Sequence, residues 1–307
     1  MPAPKQRHEL LQKRLKQFTR MLHGLDEGDV RALHRTRIAS RRLREVLPIL
    51  QLDAKVARKL NRRLRKVTRR LGTLRDLDVL LLLIAGLQES GRHDEQVLSG
   101  LATAVSDERA EERERLFTKL PTAELSRIAD KLDKIVRGLK ANKDSPAARG
   151  RHSTRGCRWV VEARLTRRAS ELATAVDAAG AVYLPERLHA VRIALKKLRY
   201  AVEVSTEIAA APAASATSDL RALKHGQDVL GRLHDVQVLI DRVRHLQTPS
   251  APLDLTTRRT FDALVASLEN DCRRLHARYM RARSALLAIC DRVGVRPLTS
   301  VVRQRAG

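Results

Sequence analysis

Leu33-His34-Arg35-Thr36-Arg37-Ile38-Ala39-Ser40-Arg41-Arg42-Leu43-Arg44 returns 155 positions later as Leu188-His189-Ala190-Val191-Arg192-Ile193-Ala194-Leu195-Lys196-Lys197-Leu198-Arg199. The shared skeleton is LHxxRIAxxxLR. A second echo follows in the same order, Leu71-Gly72-Thr73-Leu74-Arg75-Asp76-Leu77-Asp78-Val79-Leu80 against Leu230-Gly231-Arg232-Leu233-His234-Asp235-Val236-Gln237-Val238-Leu239, offset by 159. Chance similarity between Arg- and Leu-rich segments can produce one echo. Two in the same order, only four residues apart in register, point to a duplicated unit.

The spacing within that unit is helical. At about 100° per residue, with His34 as zero, Arg41 falls at about −20°, Arg37 at about −60° and Arg44 at about −80°. Ala39, Leu43, Val46 and Leu47 gather on the opposite side. The second copy puts His189, Arg192, Lys196 and Arg199 on one face and Val191, Ala194, Leu198 and Val202 behind them. An ordinary solvated face mixes signs and forms i,i+4 acid–base pairs, yet neither face carries an acid before Glu45 and Glu203. The two faces therefore read as one anion site shared by the copies.

Further cationic rows lie nearby. Arg58, Arg62, Arg65 and Arg69 fall within about 60° of helical arc. The matching region of the second half offers Arg221, Lys224 and His225, and the last helix carries Arg274, Arg278 and Arg281. Arg109 and Arg113 stand among Glu108, Glu111, Glu112 and Glu114 and are poorer candidates.

The whole chain agrees with this reading. Its 307 residues carry 61 Lys+Arg against 35 Asp+Glu, a net charge of +26. Of the 61 cations 47 are Arg, whose planar fork bonds phosphate oxygens two at a time. Such an excess repels itself unless a polyanion neutralises part of it. Aromatics make up 2 %, too few for the stacking surfaces that grip unpaired bases. At 43 % hydrophobic the chain can bury a core, so a folded protein is expected rather than wholesale disorder. The N-terminus lacks the apolar run of a secretory signal. The longest apolar run, Val79 to Ala85, is far short of the roughly 20 residues of a membrane span, so a cytoplasmic protein is expected. Cys157, Cys272 and Cys290 form neither a disulfide framework nor a zinc pattern and read as ordinary helix residues.

Ala, Leu, Arg, Glu and Lys dominate and β-branched alternation is scarce, which predicts an all-α chain without sheet. Helices are expected at 5–23, 29–51, 55–71, 75–89, 94–119, 122–140, 152–178, 186–210, 218–231, 235–247 and 256–291. Asp29, Thr122 and Ser218 suit N-caps, Pro185 an entry, and Gly24, Gly91 and Gly180 exits. The Ala/Asn/Ser/Pro/Gly-rich stretch 141–151 reads as a linker between halves 8–140 and 152–292, with 293–307 as a tail. Asp76 and Asp235 are expected to follow an LGxL turn and cap the next helix, a structural role. His34 and His189 are expected near helix starts, where free N–H groups and the dipole favour anions.

At these residues the sequence resembles the CHAD family, the conserved histidine α-helical domain. The resemblance rests on the HxxR…RRLR and HxxR…KKLRYA segments, on Leu71-Gly72…Arg75-Asp76…Asp78-Val79 and on Leu230-Gly231…His234-Asp235, and spans roughly residues 8 to 292. It implies two four-helix-bundle-like halves related by a pseudo-twofold, with basic helices facing a central groove that binds inorganic polyphosphate. It makes His34 and His189 the family's histidines and Arg37, Arg41, Arg44, Arg192, Lys196 and Arg199 its basic ligands. It extends the groove to Arg62, Arg65, Arg69, Lys224, Arg274 and Arg278. No strand carries an ExExK pattern, and Glu112-Arg113-Glu114 lies in a helical segment, so the chain resembles a stand-alone member without the CYTH triphosphate tunnel.

A linear polyphosphate offers about one charge per phosphate and no bases, which suits facing cationic helices without aromatics. Bound phosphate would favour protonated His34 and His189, each then donating from both ring nitrogens. Walker A, GxSxG, HExxH and CxxC patterns are all missing, so no catalytic residue, metal or cofactor is expected. Three functions fit these residues: a polyphosphate-binding module recruited to polyphosphate granules; a sequence-independent nucleic-acid binder; and a phosphoanhydride hydrolase using Asp76, Asp78, Asp235 or the glutamates at 111 to 114. The first is favoured, with weak nucleic-acid binding beside it. The sequence sets no oligomeric state.

Overall fold

The structure, a computed structural model, describes residues 4–22, 30–50, 52–119, 122–144, 152–208, 214–247 and 255–294. Among them it is all-α, without strands. The helices are α1 (Pro4–Arg20), α2 (Val30–Val46), α3 (Ala54–Ser90), α4 (Glu95–Lys119), α5 (Thr122–Asp144), α6 (His152–Ala179), α7 (Pro185–Ile208), α8 (Ala214–Leu246) and α9 (Leu255–Gly294). A 3-10 turn, Leu47–Leu50, follows α2.

Several boundaries have local causes. The Asp53 carboxylate accepts from the backbone N–H groups of Lys55 and Val56 at 2.9 and 3.0 Å and starts α3. Gly91, at φ 61°, ends it with its N–H bonded to the Gln88 carbonyl. Gly180, also at φ 61°, closes α6, and Pro185 opens α7. Ser218 is no cap: it lies inside α8 and its hydroxyl donates to the Ser215 carbonyl. Gly24, Asp29 and the greater part of the expected linker and tail lie outside the described residues, although 141–144 continue α5.

The larger correction concerns the second echo. The segments expected as 55–71 and 75–89 are one helix, α3, and 218–231 and 235–247 are one helix, α8. Gly72 and Gly231 sit inside them. One glycine costs a helix about 1 kcal/mol relative to alanine. Leu71, Leu74, Leu77 and Leu80, and likewise Leu230, Leu233 and Val236, are all buried and carry the apolar stripe past it. Asp76 and Asp235 therefore sit mid-helix, where no free N–H remains to be capped.

The two halves pair their helices in the same order. In the first, α1 packs on α2, α2 on α3 and α3 on α4, while α5 returns to α1. In the second, α6 packs on α7, α7 on α8 and α8 on α9, and the 40-residue α9 also lies along α6. One long helix thus does what α4 and α5 do together. Between halves, α2 meets α7 and α3 meets α8.

Two apolar cores result. One joins α1, α2, α5, α6, α7 and the second half of α9 with α3 up to Leu74, α8 up to Leu233 and Leu116 at the end of α4. The other starts at Leu77 and Val236 and adds α4 and the first half of α9. Arg75, Asp76, His234 and Asp235 fall in the gap, so the seam between the cores is polar. Ion pairs also tie the halves together. Buried Arg14 donates to Glu207 at 2.7 Å, Arg42 lies 3.8 Å from Glu203, and Arg164 pairs with Glu45. Glu45 and Glu203, the first acids after the cationic faces, are thus engaged between the halves.

Candidate polyanion-binding site

α2 and α3 run antiparallel, in a register set by side chains. The Arg37 guanidinium crosses α3 over Gly72, where a Cβ would stand 3.6 Å from its Nε. The hydroxyls of Ser40 and Thr68 are 2.9 Å apart, and Arg44 Nε donates to Asn61 Oδ1 at 3.1 Å. α7 and α8 repeat the arrangement. The Nδ1 atoms of His189 and His234 are 3.3 Å apart, and Arg199 Nε donates to Gln227 Oε1 at 2.8 Å.

Where α2 meets α7, the cationic faces of the two copies come together. Lys196 feels the charges of Arg192, Arg41 and Arg37, and Arg37 in turn feels Arg41 and Arg192. The acids among them are Asp76, whose carboxylate is 3.8 Å from Arg37 Nη2, and Asp235, which faces Arg192 and Asp76. Asp78 is used elsewhere: it is buried and accepts from Arg109 Nε at 2.7 Å, holding α4 on α3.

Crowded cations in a half-buried seam shift each other's titration. Burial, then Arg192, Arg41 and Arg37, push Lys196 down to about 7. Burial and then Arg41 push Arg37 down to about 10, and burial lowers Arg192. His34 is lowered by burial, Arg75 and Arg37, and His189 by burial, Arg192 and Lys196. Burial, Arg192, His189 and Lys196 take His234 down to about 4. The imidazoles are therefore neutral in the free protein at pH 7. His189 and His234 share one N–H between facing Nδ1 atoms, which needs one tautomer of each kind. Arg75 occupies in the first half the place of His234, and His34 Nδ1 has no hydrogen-bond partner among the described residues. Such a site is primed for an anion: each negative charge admitted would relieve the repulsion and restore protons.

His34, Arg37, Arg41, His189, Arg192 and Lys196 thus lie together. Arg44 and Arg199 continue the two rows outward, but Arg199 is tied by Glu203 at 2.5 Å and lies over the Tyr200 ring. Arg62, Arg65 and Arg69 are exposed on the outer side of α3, with Arg65 felt by Arg44. Lys224, Arg274 and Arg278 are exposed on α8 and α9, and Arg274 pairs with Asp271. The principal electrostatic neighbours of the cluster include none of these three. His34 and His189 are the fifth residues of their helices, one beyond the four free N–H groups, so the anion-binding N–H groups expected there belong to earlier residues. Arg75 and His234 were not among the sequence candidates. Their signal lay in the second echo, where both precede the repeated aspartate.

The CHAD domain family matches residues 9–244. The crystal structure of the CHAD domain from the plant Ricinus communis aligns with a TM-score of 0.61 at 22% identity, covering 94% of this chain and 92% of that one. PptA from Streptomyces chartreusis aligns with a TM-score of 0.63 at 19% identity, covering 92% of this chain and 100% of that one. At such identities the likeness is one of fold. Among the curated proteins no relative matches the sequence. Among the described residues no helix is long and apolar enough to cross a membrane.

Proposed function

We propose, from the premise that this chain belongs to the CHAD domain family, that it binds linear inorganic polyphosphate in a groove at the seam between its two repeats. CHAD domains are known to bind polyphosphate. The observation that carries the reading for this chain is the convergence of Arg37 and Arg41 from one repeat with Arg192 and Lys196 from the other. A polyvalent, flexible anion can touch both sets at once, whereas a single phosphate can neutralise only part of them. The guanidinium forks fit phosphate oxygens, and the dearth of aromatics leaves nothing to stack a base. The chain acts in this reading as a binding module without hydrolase activity, and a granule rich in polyphosphate would recruit it.

Titration with long-chain polyphosphate, against duplex DNA at equal phosphate and salt, tests the ligand. Polyphosphate should bind more tightly, and equal or tighter binding of DNA overturns the reading. Losing a charge-assisted contact costs about 1.5–3 kcal/mol, so Arg37→Ala with Arg192→Ala should weaken binding more than about 100-fold if the contacts are independent. Arg127→Ala with Arg137→Ala removes the same charge from α5 and should change little; similar losses in both would mean diffuse attraction. A phosphate-release assay with Mg²⁺ or Mn²⁺ tests the lack of hydrolysis.

A further inference from the structure

The two copies differ at one position of the cluster. Lys196 stands where the first copy has Arg41, and the cations whose charges it feels most, Arg192, Arg41 and Arg37, are all arginines. For gripping phosphate a guanidinium fork would serve better. What a lysine adds is an amine that can lose its proton and then act as a nucleophile. Its neighbour Lys197 lies 3.8 Å from the Glu171 carboxylate, which favours its charge. Lys196 has no ion pair or hydrogen bond among the described residues, and Asp235 is the carboxylate that opposes the guanidiniums around it.

Burial and those guanidiniums push Lys196 down to about 7, so about half of it is neutral amine at neutral pH. The cluster also lacks an acceptor. Arg37 Nε and Arg192 Nε are buried without a hydrogen-bond partner, and a buried donor left unpaired carries its full desolvation penalty. An electrophile that turns the amine into an anion answers both features, because it removes a repelled charge and sets oxygens among the donors. An acyl group would leave a neutral amide instead. Carbon dioxide is small and uncharged, and its adduct with an amine ends in a planar, anionic pair of oxygens, the group with which arginine forms two parallel hydrogen bonds.

We propose that Lys196 takes up carbon dioxide as a reversible carbamate, held as an anion by Arg37, Arg41 and Arg192. The Nζ lone pair attacks the carbon, an N–C bond forms, one C=O π pair moves onto oxygen, and the nitrogen gives a proton to solvent. Amine and carbon dioxide thus become carbamate and a proton, with no change of oxidation state, and return of the proton reverses the step. The carbamate replaces a cation by an anion where α2 meets α7, so carbon dioxide and a polyanion exclude one another. That consequence rests on the polyphosphate reading above; the carbamate itself does not.

The test uses the full chain, slightly above neutral pH and at constant ionic strength, with isotopically labelled carbon dioxide as the probe. Triethyloxonium alkylates any carbamate to a stable ester, and peptide mass spectrometry locates it. The label should appear at Lys196 and not at Lys197. Carbon dioxide should lower the affinity of the wild-type protein for long-chain polyphosphate at least about tenfold, in line with the loss of one charge-assisted contact. Lys196→Arg keeps a cation that forms no carbamate, and its affinity should change less than about twofold; circular dichroism confirms that this variant is folded. No label at Lys196, or equal label at Lys196 and Lys197, overturns the proposal. An equal loss of affinity in wild type and Lys196→Arg would show bicarbonate competing as a free ion and would overturn it too. Saturating polyphosphate should protect Lys196 from labelling. Label that persists under it leaves the carbamate standing and overturns the placement of polyphosphate at this cluster instead.

Discussion

Lys196→Arg should remove most of the pH dependence of polyphosphate binding above neutrality. In the free protein Lys196 titrates at about 7, because burial and the neighbouring Arg192, Arg41 and Arg37 disfavour its charge, with Asp235 opposing them. His189 and His234 lie beside the same two cations, Arg192 and Lys196, and are lowered below their usual value. A bound chain of phosphates replaces repulsion with attraction and returns the lysine toward its ordinary range near 10. The pKa rises on binding, so affinity is highest below the free value and falls as pH rises through it. A group moving from about 7 to about 10 loses close to tenfold in affinity per pH unit above 7, or about 100-fold between pH 6 and 9. At pH 8 binding should take up about 0.9 proton through this residue. Calorimetry at constant ionic strength in two buffers of different ionisation enthalpy measures that number directly. Arginine stays charged throughout, so the variant should bind with a nearly flat profile from pH 7 to 9 and little proton uptake. Below pH 7 both proteins should gain affinity as the lowered histidines protonate. A flat wild-type profile above pH 7, or an unchanged slope in Lys196→Arg, would refute the reasoning.

Three further outcomes concern stability. Gly226 lies where α8 meets α7 and α9, and an added Cβ would come within 3.3 Å of Leu195 and Leu286 side chains; Gly226→Val should therefore destabilise by about 1–3 kcal/mol in urea unfolding, whereas Gly231→Ala, with no atom within 4 Å, should stabilise by about 0.5–1 kcal/mol. Arg109→Met strands the buried Asp78 carboxylate and should cost about 2–3 kcal/mol, less than the roughly 3–5 of a fully buried pair because Arg109 is 24% exposed; thermal melts read the loss, and the folded fraction should keep its polyphosphate affinity.

Periodicity and repetition carried much of this protein in plain view. The cationic faces around His34 and His189 were legible because a helix turns every residue by the same angle, so spacing along the chain is position around the axis. The all-α class followed from composition, and the exits at Gly91 and Gly180 from the one residue that accepts a positive φ without strain. Continuity through Gly72 and Gly231 was not legible. Whether a glycine ends a helix depends on whether the leucines on either side bury against the same neighbours, and those neighbours come from other helices. The partners of the cations were hidden for the same reason. Arg199 and Lys196 occupy one face in the sequence, yet Glu203 and Gln227 hold the first, while the second is left among Arg37, Arg41 and Arg192. Sequence determined which faces carry charge; the crossing of α2 with α7 decided which charges meet, since burial and Coulomb repulsion depend on distances through space that no spacing along the chain encodes.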